Sequence, residues 1–164
     1  MEQSRRNRTK GTTSDPSSRR AWPLKVLLAS DGSSHSDRAA KLLAGMLTPE
    51  AVVRIITVAG LEFAPYDDKW GPLSDEPERQ AMLKSVSEAS FAKPVEYLSA
   101  AGCRVETITR LGNPAEQILF EIASAKPDLV VVGRAGMTRL QRLLMGSVSE
   151  HLVKHSPVPI LIVP

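Results

Sequence analysis

Residues 128–163 read DLVVVGRAGMTRLQRLLMGSVSEHLVKHSPVPILIV, and the fold turns on them. Asp128–Gly133 is an uninterrupted apolar run closed by glycine. Ser147–His155 has the pattern of a short helix, and Ile160–Val163 is a second apolar run entered through Pro157 and Pro159. Runs such as VVV and ILIV suit strands covered on both faces, the condition of parallel strands flanked by helices.

The same rhythm extends back to the start of the apolar pattern. Lys25–Ser30 (KVLLAS) reads as a strand ended by Asp31-Gly32, and Ser34 with Asp37 three residues on resembles a helix-starting capping box. Ala39, Ala40, Leu43, Met46 and Leu47 then recur at helical spacing. Val52–Val58 is the second strand, followed by the long segment Ala59–Glu76. Pro77 suits a helix start, and that helix is expected to run to Ala101, with Pro94 as a kink or break and Gly102 as the stop. Arg104–Arg110 is the third strand. Asn113-Pro114-Ala115-Glu116 combines an N-cap, an N1 proline and an N3 glutamate, opening a helix whose face is Ala115, Ile118, Leu119 and Ile122. Alternation of strand and helix across 25–163 predicts one doubly wound α/β layer of about five parallel strands, which binds ligands beyond the carboxyl ends of its strands.

The chain has 164 residues, the size of one domain, and its one cysteine, Cys103, excludes an internal disulfide. With three histidines beside that single cysteine, no tetrahedral zinc cluster is expected. No apolar run approaches the ~20 residues of a membrane span, and residues 1–22 lack the hydrophobic segment of a secretory signal. A cytoplasmic protein is expected. The sequence pI of about 9.2 suggests a nucleic-acid binder until the charge is located. Residues 1–22 hold six basic residues (Arg5, Arg6, Arg8, Lys10, Arg19, Arg20) against Glu2 and Asp15, leaving 15 basic and 16 acidic residues in 23–164. The reading is therefore a disordered basic tail, 1–22, ahead of a near-neutral domain, 23–164, with contact to nucleic acid or another polyanion open only to the tail.

Two strand ends carry candidate chemistry. One is Ser30-Asp31-Gly32-Ser33. The other is Gly133-Arg134-Ala135-Gly136, followed after nine residues by Gly146-Ser147-Val148-Ser149-Glu150 at a helix start. Glycines admit close backbone approach, and a helix N-terminus presents unpaired N–H groups and partial positive charge, which together suit phosphate. No Walker lysine follows Gly146, and no G-x-G-x-x-G occurs. Gly146-Ser147-x-x-Glu150 also reads as a capping box, and Asp31 as a turn residue, so a structural use stands beside each ligand-binding one.

The spacing Gly133-x2-Gly136-x9-Gly146-Ser147, with DGSSHSDRAA before it and GSVSEHLVKHSPVPILIV at its end, closely resembles the universal stress protein family in its ATP-binding branch. The resemblance covers 24–163. It implies a Rossmann-like sheet of order 3-2-1-4-5, a homodimer, ATP as ligand with Mg2+, and a role in stress adaptation with weak or no turnover. Residue by residue, it implies that Asp31, with Ala29 and Ser30 beside it, contacts the nucleoside. The backbone at Val58 would recognise adenine. Gly133, Gly136, Gly146 and Ser147 would hold phosphate and ribose, with Arg134, Val148 and Ser149 adjoining. Family members often carry Ser or Thr after the first glycine and His or Arg before the second; Arg134 and Ala135 stand there here.

Other charged groups have weaker cases. Arg134, Arg139 and Arg142 are placed to neutralise a triphosphate or to line a solvated loop. His35, His151 and His155 are read as lacking a spacing that pairs any of them with a nucleophile or a metal partner, and are expected at the surface or at helix ends, with no metal site. The acidic residues Asp67, Asp68, Asp75, Glu76 and Glu78 are expected in a lid or solvated loop, since nucleotide-bound magnesium is held mostly by phosphates and water. Leu140, Leu143, Leu144 and Met145 are expected to anchor the glycine loop. ATP binding is expected to act as a conformational switch, and the edge strand Ile160–Val163 to pair across a dimer axis. A slow ATPase or nucleotidyl transferase is the enzymatic alternative, and a polyanion-binding factor using the tail is the third reading.

Overall fold

The computed structural model describes residues 24–60, 77–134 and 146–164. The expectations for the tail, for 61–76, and for Gly136, Arg139, Arg142 and Met145 with its neighbouring leucines concern positions outside them. The elements follow in strict alternation: β1 (Lys25–Ala29), α1 (Ser34–Met46), β2 (Val52–Ala59), α2 (Pro77–Ala100), β3 (Arg104–Leu111), α3 (Pro114–Ala125), β4 (Leu129–Gly133), α4 (Ser147–His155) and β5 (Ile160–Val163). The sheet order is β3-β2-β1-β4-β5, and every neighbouring pair is parallel.

Strand side chains alternate between two apolar layers because successive Cβ atoms point to opposite faces. Val26, Leu28, Val53, Ile55 and Val131 pack with Ala39, Ala40 and Leu43 of α1 and Leu98 of α2. Leu27, Ile56, Val130 and Val132 pack with Ile118 and Ile122 of α3 and Leu152 of α4. The sheet is thus covered on both faces, as the continuous apolar runs require. Met46, expected in the α1 stripe, is 59% exposed instead. It is the last helical residue, and Leu47 after it packs against the core in its place.

The helix ends correct two local expectations. α1 is capped one residue earlier than read: the Ser33 hydroxyl accepts from Ser36 N–H, and Asp37 instead accepts from Lys93 Nζ at 2.6 Å. α4 has no capping box either. Its N-cap is Gly146, without a side chain to offer, and Glu150 turns forward to Lys154 at 2.7 Å. The α3 start is as read, with Asn113 Oδ1 accepting from the N–H groups of Ala115 and Glu116. Gly102 stops α2 at φ +80°, a conformation that glycine adopts without strain.

Pro94 sits inside α2 without ending it. A proline there cannot donate to the carbonyl four residues back, which belongs to Ser90. That carbonyl is supplied from outside the helix: Ser30 Oγ donates to it at 2.7 Å.

Candidate functional site

The chain runs from β1 outward to β2 and β3, then crosses to β4 and β5 on the other side. The order therefore reverses between β1 and β4, and the crevice beyond their carboxyl ends is where such sheets take ligands. Ala29, Ser30, Asp31, Gly133 and Arg134 lie at those two strand ends, Val58 lies near the end of β2, and Gly146, Ser147, Val148 and Ser149 start α4. Residues far apart in sequence are thus gathered at one end of the sheet.

At the β1 exit, not every candidate faces the crevice. Ala29 packs on the α3/α4 layer, and the buried Ser30 hydroxyl is committed to the Ser90 carbonyl. Asp31 is exposed; its Oδ1 accepts from Ser33 N–H at 3.0 Å, which holds the carboxylate at the turn. Of these three, Asp31 offers side-chain chemistry to a ligand.

Val58 contributes through its backbone. Ser30 N–H donates to Ile56 O at 2.9 Å, so even-numbered β2 residues turn their peptide groups toward β1. β1 pairs with β2 only as far as Ala29 opposite Ile56, whereas β2 continues to Ala59. The Val58 N–H and C=O therefore face β1's side beyond the end of that strand. No backbone bond joins them there to another described residue. A donor and an acceptor stand side by side at the crevice wall.

Opposite them, Gly133 has a structural reason to be glycine. A Cβ built there would lie 2.9 Å from His35 Cβ and 3.1 Å from Ser36 N, so the end of β4 abuts the first turn of α1. Arg134 closes the next step. Its N–H donates to Val163 O at 2.7 Å, and its carbonyl accepts from Gly146 N–H at 2.8 Å and from Ser149 Oγ at 3.0 Å. The two ends of the glycine-rich stretch are thus fastened to one carbonyl, and the buried Ser149 hydroxyl serves that closure. The exposed Ser147 and the N–H groups of Ser147, Val148 and Ser149 remain at an α4 N-terminus with no side-chain cap. Uncapped N–H groups at the positive end of a helix dipole form a ready anion site.

A charge cluster that the sequence reading missed lies on the α3 face. Arg54 and Glu106, opposite each other on β2 and β3, pair at 2.7 Å. Glu121 of α3, 2% exposed at its side chain, bonds Arg54 at 2.7 Å and also Arg110. The Arg110 guanidinium lies over the Phe120 ring, 4.7 Å from its centroid. Burial alone would lift the Glu121 carboxyl, but the hydrogen bonds from Arg110 and Arg54 outweigh it and hold the group below the usual carboxylate range. Charged residues inside otherwise apolar strands, as in VVRIITV, were the available signal. Beyond β3, a groove of about 450 Å³ opens between α2 and that edge strand, where the Ser87 and Thr109 hydroxyls meet at 2.8 Å. It lies at the edge of the sheet, away from the β1/β4 crevice. Cys103 is buried, which pushes its thiol up, away from thiolate chemistry.

The model of the universal stress protein family matches residues 24–164. A universal stress protein of Thermus aquaticus is 32% identical over 139 residues, which span 84% of this chain and 96% of that one. The structure of MJ0577, a universal stress protein of Methanocaldococcus jannaschii, superposes with a TM-score of 0.73 at 25% identity, covering 86% of this chain and 95% of that one. A family protein of Arabidopsis thaliana, solved with AMP bound, superposes with a TM-score of 0.60 at 21% identity, covering 86% and 91%. With the family model spanning every described element, and the sheet order and helix placement in agreement, the chain belongs to the universal stress protein family.

Proposed function

We propose that the chain binds ATP, with Mg2+, across the crevice between β1 and β4, and that occupancy acts as a regulatory switch. The observation that carries the reading is the convergence of three complementary surfaces on one crevice. The Val58 N–H and C=O match the acceptor at N1 and the donor at N6 of adenine. The Asp31 carboxylate is placed to accept from ribose hydroxyls. The uncapped α4 N-terminus, behind Gly146, suits the phosphates. Mg2+ would be held chiefly by those phosphates and by water. The AMP-bound relative from Arabidopsis supports an adenine nucleotide as the ligand class.

A nucleotide in this position touches three separately tethered pieces: the β1 exit, the end of β2 and the start of α4. Because α1 abuts the end of β4 at Gly133, α2 is tied to the β1 exit through Ser30, and α1 is tied to α2 through the Asp37–Lys93 pair, occupancy bears on a wide surface. The β5 edge, half-buried along three of its four residues, is the proposed place for a second copy to pair. The cytoplasm is the proposed setting. Among the described residues, no helix is long and apolar enough to cross a membrane.

Calorimetric titration with MgATP tests the reading. One saturable site per chain is expected, and Gly146→Val should weaken it about tenfold or more, some 1.4 kcal/mol, with the far-UV circular dichroism unchanged. Absence of saturable binding in the unmodified chain would overturn it.

A further inference from the structure

We infer that His151 and His155 form a two-point chelate for a divalent transition-metal ion, copper(II), nickel(II) or zinc(II), on the exposed face of the last turns of α4. The two residues are four apart, which places their side chains one above the other on one helix face. The rings already lie together, stacked with centroids 4.2 Å apart and an interplanar angle of 25°. Both residues are exposed, so an ion reaches them without rearrangement of the core.

The hydrogen bonding sets up the ligand atom. His155 Nδ1 lies 2.8 Å from the His151 carbonyl oxygen. A carbonyl oxygen only accepts, so the ring nitrogen carries the proton in the neutral ring and Nε2 keeps its lone pair for a metal. A metal-ligating histidine commonly has this arrangement, with its second ring nitrogen donating to a carbonyl or carboxylate that fixes the ring. The His151 ring has no hydrogen bond to another described residue, so it is available to turn its own lone pair toward the same ion.

The surroundings favour a cation. The nearest charged side chains on the helix, Lys154 and Glu150, neutralise each other at 2.7 Å. The pair also sits at the C-terminal end of α4, where the helix dipole favours positive charge. Imidazole nitrogens suit the borderline divalent ions and discriminate against magnesium and calcium, which prefer oxygen. Among the described residues no third His, Cys, Asp or Glu joins the pair, so water would complete the coordination shell. A bound ion would staple residues 151 and 155 and stiffen a nine-residue helix whose other end is the proposed phosphate site.

Titration of the untagged full chain at neutral pH with copper(II) or nickel(II) chloride alone tests the inference without nucleotide. One ion per chain is expected, binding in the order copper, nickel, zinc, with a rise in the thermal midpoint. His151→Asn and His155→Asn should each weaken binding about tenfold or more, whereas His35→Asn, the remaining histidine, should leave it unchanged. Undiminished binding in either α4 variant, a stoichiometry of one ion per two chains, or no binding at all would each overturn the chelate.

Discussion

The contact between Ser30 and the Ser90 carbonyl makes a quantitative prediction that links β1 to α2. Pro94 removes the helical donor to that carbonyl, and the Ser30 hydroxyl replaces it from the end of β1 at 2.7 Å. Ser30 is 4% exposed and Ser90 2%, so water cannot take over when the hydroxyl is deleted. Ser30→Ala therefore leaves a buried carbonyl unpaired, at a cost of about 1–3 kcal/mol. For a chain of this size that is roughly 2–4 °C of thermal midpoint per kcal/mol. In a Pro94→Ala background the restored N–H at position 94 can serve the carbonyl from within the helix, and the same Ser30→Ala change should cost about 1 kcal/mol less. The assay is a double-mutant cycle by urea denaturation of wild type, both single variants and the double. Equal Ser30→Ala costs in the two backgrounds would refute the reasoning, because the hydroxyl would then not be standing in for the missing helical donor.

Further expectations follow from packing and charge. Gly133→Ala drives a methyl group against His35 Cβ and the Ser36 backbone, so it should destabilise the nucleotide-free protein by about 1–3 kcal/mol in chemical denaturation. An unchanged midpoint with lost ATP binding would instead make Gly133 a ligand-approach glycine alone. Leu98→Ala, at a fully buried site between α2 and the sheet, should cost about 2–5 kcal/mol by the same assay. Glu121 and Glu106 titrate below the usual carboxylate range, so their stabilisation is present above about pH 4.3 and lost as the pH falls through their depressed values. Midpoints measured from pH 7 to pH 3 should fall across that window, and Glu121→Gln should lose about 1.5–3 kcal/mol at pH 7 and flatten the fall.

Much of this architecture was legible because parallel, doubly covered strands leave an unmistakable trace. VVV at 130–132 and ILIV at 160–163 are too apolar for a half-solvated sheet, and each lies where such a strand was read. Asn113-Pro114-Ala115-Glu116 was readable because its cap is local in sequence. The failures are equally physical. Ser33 and Ser34 are both competent caps, and the choice between them depends on where β1 releases the chain toward the first turn of α1. Gly146-Ser147-x-x-Glu150 satisfies the capping pattern, yet Glu150 finds Lys154 one turn on and the terminus stays uncapped.

The site was legible as a set of positions and less so as a set of atoms. Ser30 and Ser149 stand where ligand contacts were expected, but their hydroxyls serve the Ser90, Gly146 and Arg134 carbonyls, partners that tertiary structure supplies. Gly133 reads as a phosphate glycine in sequence, and its close approach to α1 is a second demand for glycine that only tertiary structure reveals. The Glu121 cluster was missed because the helical pattern of 115–122 says which positions face the sheet, and not that Arg54 and Arg110 wait beneath.

An adenine nucleotide at the β1/β4 crevice would read the Val58 backbone and the α4 N-terminus. Backbone amide resonances of the isotopically labelled chain, followed during MgATP addition, locate the bound nucleotide residue by residue. Saturating shifts concentrated at Asp31, Val58, Gly146, Ser147 and Val148 are expected. Saturating shifts confined to the groove at Lys84, Ser87 and Thr109, with those five amides unmoved, would contradict binding at the crevice.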